Sequence, residues 1–415
     1  MTSPFNSISR RERQGVDHIK VFSTLFLAVF SVTLGVGLVV PLLPIFAHDL
    51  GATGLYIGFI FGAFSLSRTA FLPFFGRLSD LKGRKPFVTT GLFAYFLVSI
   101  AFAFSKNVNL FILIRFLQGI ASAMILPVAQ AYVGEITPRG KEGFAMGLFN
   151  LSIYAGLSMG PLLGGAVKDV FGIQTSFMAM GLISLIGCLL CLFLLPPRKE
   201  ERPMALARPP LRYGVLARNR YVGALFMFRL TFTTCIGVVW AFLPLLAGLE
   251  FDLSSSAVGV LVMLGVLTTG LLQTPMGLVA DRLNKRVLIV VGGVVAAGAI
   301  WTFIHAKGFW GLFLANVLFG VGGGIAVPAV MAMTVIIGRH TGSMGSIMGL
   351  LTMGHSLGML IGPILAGLMM DMFDLELAFV AGTVIMGFGV ASVILLTSGF
   401  GKWLKASDGM AVQAE

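Results

Sequence analysis

Gly76-Arg77-Leu78-Ser79-Asp80-Leu81-Lys82-Gly83-Arg84-Lys85 returns 201 residues later as Gly277-Leu278-Val279-Ala280-Asp281-Arg282-Leu283-Asn284-Lys285-Arg286. The glycine, the aspartate and the two closing basic residues keep their places. Gly119 and Pro127 repeat at the same interval as Gly320 and Pro328. After one inserted residue near 340, Gly156, Gly160, Pro161, Gly165, Asp169 and Phe171 return at an interval of 202 as Gly358, Gly362, Pro363, Gly367, Asp371 and Phe373. Chance pairs some glycines in a chain that holds 53 of them, but it does not keep aspartate and proline in register. The chain is therefore read as two copies of one unit. Residues 1–196 form the first half and 220–415 the second, with the Arg- and Pro-rich segment 197–219 between them.

Working outward, the residues between these motifs are overwhelmingly apolar. Hydrophobic residues make up 57% of the 415 and charged residues only 11%, against about 25% charged in a soluble globular chain. A bilayer core takes about 20 apolar residues per helix. Twelve such stretches are present, at 22–46, 55–78, 86–104, 109–134, 145–167, 175–196, 221–247, 256–279, 286–304, 309–337, 345–370 and 376–399. Glycine at 53 of 415 positions, close to twice the usual share of about 7%, has no G-X-Y period and suits closely packed membrane helices. Three cysteines give no disulfide framework. The pair Cys188 and Cys191 lies in an apolar run and reads as packing rather than as a redox or metal site.

The net charge of +12 is explained by membrane topology and not by nucleic acid, which is not an expected partner. With the N-terminus in the cytoplasm, 23 of the 29 Lys and Arg residues fall in cytoplasmic segments, three (Lys106, Lys168, Lys307) fall outside and three (Arg68, Arg115, Arg229) fall within spans. Both termini are expected inside. About 20 polar residues, with Arg10, Arg11, Arg13 and Lys20, precede a first span too long for a signal-peptide core, so that span is expected to stay uncleaved.

The whole chain resembles the major facilitator superfamily of transporters. The resemblance implies an all-α membrane protein of the major facilitator fold, with twelve transmembrane helices in two six-helix bundles related by a parallel repeat. The loop 76–85 resembles the superfamily's cytoplasmic signature. Gly76, Asp80, Gly83, Arg84 and Lys85, with Gly277, Asp281, Lys285 and Arg286 in the second copy, are expected to form a conformational latch. Gly76 and Gly83 would allow a close approach and a tight turn, and Asp80 would accept hydrogen bonds from Arg84 or from a helix N-terminus. Arg115-Phe116-Leu117-Gln118-Gly119 resembles the arginine-bearing motif of the fourth helix; Asn316 replaces the arginine in the second half.

Gly156-Leu157-Ser158-Met159-Gly160-Pro161-Leu162-Leu163-Gly164-Gly165 fits G-x-x-x-G-P-x-x-G-G, which in this superfamily is associated with antiporters that export drugs and other solutes. Its glycines would let a second helix pack backbone to backbone, and Pro161 removes one internal hydrogen bond. No G-x-x-x-x-G-K-[ST] loop is present, so an ion or solute gradient is the expected energy source.

The intramembrane charges are all positive. Arg68, Arg115 and Arg229 lie within spans, while every Asp and Glu lies at a span end or in a loop. Exposing an arginine to hydrocarbon costs about 2.5–3.5 kcal/mol or more, so each needs a partner, a ligand or a route to the interface. Many cation-exporting relatives carry a carboxylate in the first span; residues 22–46 have none. His355 is the expected proton-coupling candidate in its place. By resemblance, helices one, four, seven and ten line a cavity, to which five, eight and eleven contribute. The expected substrate-binding residues are Arg68, Arg115, Gln118, Asn150, Tyr154, Arg229, Thr233, Trp240, Gln273 and Asn316. Each also has a plain packing reading.

These features predict a monomeric exporter of small amphipathic molecules in a bacterial-type inner membrane, driven by protons and needing no cofactor or metal. An organic-anion or acidic-lipid transporter that uses the arginines is the nearest alternative, and a transporter-like sensor or scaffold a distant one. An enzyme is not expected: the spans hold no carboxylate pair, nucleophile–base set or metal cluster.

Overall fold

The computed structural model describes the backbone of residues 4–137, 142–196, 219–341 and 344–400. Side chains are described from residue 18 onward within these segments, except at 80, 142–145, 147, 339–340 and 344–346. The connecting segment 197–219, apart from Asn219, lies outside the described residues, as do Arg139, Lys141, the tail 401–415 and the side chains of Asp80 and Arg339.

The described chain is all helical. In order, the elements are α1 (Pro4–Val39), α2 (Leu43–Asp49), α3 (Gly54–Lys82), α4 (Arg84–Phe104), α5 (Val108–Ile136), α6 (Glu142–Phe171) and α7 (Ile173–Leu194). The second half follows with α8 (Arg220–Leu245), a π turn (Leu246–Glu250), α9 (Ser255–Arg282), α10 (Lys285–Ile304), α11 (Gly308–Thr341), α12 (Met344–Met372) and α13 (Leu375–Leu396). Among the described residues, eleven helices are long and apolar enough to cross a membrane. The remaining expected span, 145–167, falls within the 30 residues of α6.

Helix ends follow local chemistry. Gly83 and Gly172, at φ 86° and 85°, turn the chain between α3 and α4 and between α6 and α7, a backbone region that favours glycine. Asn107, Asn219, Asn284 and Asp374 each accept backbone N–H bonds at the start of α5, α8, α10 and α13. Leu182, Ile186, Leu189 and Phe193, spaced at helical intervals along α7, are all exposed, as are Val287, Val291, Val294 and Trp301 along α10. Such apolar stripes facing outward suit lipid as the solvent.

The described residues group into two compact units. The first holds residues up to 46, 66–196 and 254–263; the second holds 47–65, 219–253 and 264–400. In the first, α1 packs on α6 and α7, and α4 packs on α5 and α7. In the second, α8 packs on α12 and α13, and α10 packs on α11 and α13, so the same pattern of neighbours is built twice. The grouping departs from the sequence halves at two matching places. The first turns of α3 pack in the second unit and the first turns of α9 in the first.

Glycine makes both exchanges possible. A Cβ at Gly58 would lie 2.6 Å from the Pro363 carbonyl oxygen, and one at the repeat-related Gly259 would strike the Pro161 carbonyl. Only a hydrogen fits at these crossings.

Candidate functional site

In the first unit, Arg115, Gln118 and Ser122 occupy one buried face of α5 at intervals of three and four residues, while Leu113 and Leu117 point outward. The Arg115 Nη1 donates to Gln118 Oε1 at 2.8 Å, and Gln118 Nε2 meets the Met180 sulfur of α7 at 3.9 Å. Tyr95 of α4, 2% exposed, lies beside Ser122 and within electrostatic reach of both the Arg115 and Arg68 guanidinium groups. The Arg68 Nε is buried and has no hydrogen-bond partner among the described residues. Three of the residues expected to bind substrate, Arg68, Arg115 and Gln118, are thus brought together, and Tyr95 joins them.

Sequence reading passes over Tyr95. A lone tyrosine in an apolar span has no local signature, and the repeat does not mark it because its counterpart is Ala296. The second unit carries no copy of the cluster. Thr269 stands in the place of Arg68, Ala296 in that of Tyr95, Asn316 in that of Arg115 and Phe319 in that of Gln118. There Thr269 donates to the carbonyls of Gly265 (2.8 Å) and Gly320 (3.1 Å), which ties α9 to α11. Asn316 is 2% exposed and packs against Gly265.

The other expected binding residues are dispersed. Asn150 is exposed and Tyr154 half-buried on α6 in the first unit, whereas Arg229 and Trp240 on α8, Gln273 on α9 and His355 on α12 are half-buried in the second. Thr233 is fully buried; its hydroxyl donates to the Arg229 carbonyl at 2.7 Å and lies 3.4 Å from that of Gly354. Thr33 repeats this geometry on α1, donating to Val29 at 2.8 Å and facing Ser152 at 3.3 Å. This is the geometry of a helix–helix contact, with the hydroxyl occupied by backbone.

The glycine motif 156–165 forms a two-sided seam. Gly156, Gly160 and Gly164 lie against the α1 backbone between Phe30 and Leu38, with a Cβ at Gly160 only 2.6 Å from the Leu34 carbonyl oxygen. Gly165 and Pro161 instead meet the first turns of α9 around Ser255 and Gly259. In the second half, Gly358 and Gly362 lie against α8, and Gly367 meets Gly54 of α3.

At the loop 76–85, Arg84 donates through Nε (3.0 Å) and Nη2 (2.8 Å) to Glu135 Oε1 and through Nη1 to Ser79 at 3.1 Å. Lys85 donates to the Leu195 carbonyl at 2.5 Å, and its counterpart Arg286 to that of Ile394 at 2.6 Å, each at the C-terminal end of the sixth long helix of its half. Cations at such ends satisfy carbonyls that have no helical partner. Lys285 donates to the Asp281 carbonyl at 3.3 Å. Gly83 has the positive φ of a tight turn, but a Cβ at Gly76 or Gly277 would meet nothing within 4 Å. Close approach, one reason expected for Gly76, is not seen among the described residues.

At the opposite helix ends, two carboxylates cap helices of the other sequence half. Asp169 accepts the Ser255 N–H at 3.1 Å, the Ser256 N–H at 2.8 Å and the Ser256 hydroxyl at 2.5 Å, at the start of α9. Burial disfavours its charge, yet the bonds from Ser256 and Ser255 outweigh that and hold the carboxyl below the usual carboxylate range. Its repeat partner Asp371 accepts the N–H groups of Gly54 and Leu55 at the start of α3.

The family model of the Major Facilitator Superfamily matches the chain twice, at residues 25–247 and 225–410. An uncharacterized MFS-type transporter of Methanocaldococcus jannaschii is 29% identical over 85% of this chain and 91% of its own length. Multidrug resistance protein 2 of Bacillus subtilis is 25% identical over 90% of this chain and 94% of its own. Among solved structures, a point mutant of the nucleoside transporter NupG superposes with a TM-score of 0.78 at 12% identity, covering 91% of this chain and 99% of that one. The human organic anion transporter MFSD10 superposes at 0.62 with 19% identity and the same coverage. Two matches to one family model, over a fold whose neighbours repeat from half to half, make this multi-pass membrane protein a transporter that belongs to the Major Facilitator Superfamily.

Proposed function

We propose that this transporter exports small amphipathic molecules by proton antiport. Residues 1–196 and 220–415 would act as two bundles, joined by 197–219, that rock about a midplane site to give alternating access. The observation that carries this reading is the glycine seam of α6. The whole motif Gly156–Gly165 is present, and its small residues serve the helix crossings on both faces. Support also comes from the near full-length likeness to a multidrug resistance protein of Bacillus subtilis. With no nucleotide-binding loop in the sequence, an ion or solute gradient would supply the driving force, and protons are the ion proposed. His355 and the span-end carboxylates are the titratable groups through which protons would couple, and the distribution of Lys and Arg favours an inner membrane with both termini in the cytoplasm.

Transport of organic anions or acidic lipids is the second reading. It is favoured by Arg68, Arg115 and Arg229 within spans that have no carboxylate in their interiors.

Proteoliposomes carrying a pH dye test both. Proton movement driven by cationic amphipaths supports drug antiport. A response to organic anions alone, lost in Arg229→Ala, supports the second reading, and no response to either class sinks both.

A further inference from the structure

The strongest unexplained feature of the first unit is a group of cations and hydroxyls gathered around one buried phenol. Arg68 brings a buried Nε–H that no described residue accepts. A guanidinium is donor-only, with five N–H groups in a fixed fork. Tyr95 is buried beside Ser122, and its phenol brings an O–H donor to the same place. Arg115 adds a second positive charge near the same phenol. Every Asp and Glu of the chain lies at a span end or in a loop, so no carboxylate in a span interior completes this set.

Chemistry that fits two cations and a phenol is an anion with several acceptor oxygens, a carboxylate, sulfonate or phosphate. Charge-assisted bonds to such a group are about twice as strong as neutral ones, and an arginine fork matches its planar or trigonal oxygens. Burial raises the worth of each bond, because water competes less.

We propose that Arg68, Tyr95 and Arg115 form an anion-receiving subsite belonging to the first half alone, with the Tyr95 hydroxyl setting its specificity. The inference rests on the reading of this chain as a transporter of amphipathic molecules and names the charged end such a molecule carries. Its counterpart positions, Thr269, Ala296 and Asn316, hold no charge and no phenol. The acidic end is therefore held by residues of the first half.

The test uses the full chain in nanodiscs of phosphatidylcholine, with two fluorescent probes that differ only in charge, dansylglycine and its neutral amide. The expected result is binding of the acid about tenfold tighter than the amide. Arg68→Gln and Tyr95→Phe should each reduce that preference to within about twofold, and Arg68→Lys should keep part of it. Tyr95→Phe removes one oxygen and keeps the ring, so a variant that elutes as the parent does on size exclusion is a fair comparison. Phosphatidylglycerol added to the nanodiscs separates the sources: competition with the acid assigns the subsite to lipid headgroups, and no competition assigns it to free organic acids. Equal binding of the two probes by the parent protein, or a preference that survives in the double variant, overturns the proposal. Dye-linked proton flux with cationic amphipaths, measured in parallel, keeps the two questions apart. Flux without anion preference leaves the exporter reading standing and removes the subsite; anion preference without flux does the reverse.

Discussion

Asp371, near the end of α12, holds the first turn of α3 by accepting the Gly54 N–H at 2.6 Å and the Leu55 N–H at 2.8 Å. A helix leaves its first amides without partners, and a carboxylate placed there satisfies two of them and complements the helix dipole. Because 202 residues separate Asp169 from Asp371, the same device appears at the start of α9. Each sequence half thus supplies a cap to the second long helix of the other.

Removing the cap has a defined expectation. Asp371→Ala leaves two amides unsatisfied and should lower stability by about 1 kcal/mol, read as a fall in the melting temperature of the detergent-solubilised protein. Asp371→Asn, which keeps an acceptor oxygen, should lose less. Equal melting temperatures for parent and Asp371→Ala would show that the cap contributes nothing.

Acid should weaken the Asp169 cap. This carboxyl is held below the ordinary value, first against the effect of burial and then by the bonds from Ser256 and Ser255, so the folded state favours its ionised form. That contribution is complete above the unfolded carboxylate value, about 3.9, and fades as pH falls through the lower folded value. Melting temperature against pH should therefore decline on the acid side more steeply in the parent than in Asp169→Asn. Parallel curves would remove Asp169 from the acid response.

Glycines of the two motifs should respond oppositely to alanine. At Gly164 a Cβ collides with the Leu38 backbone, which cannot swing aside, so Gly164→Ala should destabilise by about 1–3 kcal/mol. At Gly76, inside α3, a Cβ meets nothing, and Gly76→Ala should be neutral or add about 0.5–1 kcal/mol through backbone entropy. A stable Gly76→Ala protein that transports slowly would locate the role of Gly76 in a state other than this one. Comparison of melting temperature with flux for the two variants checks both expectations.

Gln118 should matter through its neighbour. Gln118→Leu deprives buried Arg115 of the acceptor at 2.8 Å, and leaving a buried charged group short of a bond costs about 1–3 kcal/mol. Gln118→Glu restores an acceptor and adds a countercharge, so it should recover the stability and weaken any binding of anions. Measuring melting temperature and dansylglycine binding on the same two variants tests this.

Much of the architecture was legible along the chain. Hydropathy is a local property that adds up residue by residue, so spans such as 109–134 and 376–399 stand out without any knowledge of their neighbours. The repeat was equally legible, because Asp80 with Asp281 and Pro161 with Pro363 keep their spacing whatever they touch. The glycines of 156–165 announced a close helix crossing for the same reason: only a missing side chain permits one.

Other features depended on the rotation of each helix and on which helix lies beside it, and neither is written in any short window. Thr233 carried a hydroxyl in a span, but only packing against α12 spent it on backbone carbonyls. Glu135 had no local signal as a partner of Arg84, yet the folded chain brings it, 51 residues on, to that guanidinium. Tyr95 had no distinguishing pattern until α3, α4 and α5 set it beside Arg68, Arg115 and Ser122. The sequence by itself determined that this chain crosses a membrane as two related sets of helices, because the bilayer acts on each span separately. Which polar groups meet inside those sets was decided only by tertiary structure, because a buried hydrogen bond needs two partners placed within about 3 Å by the packing of different helices.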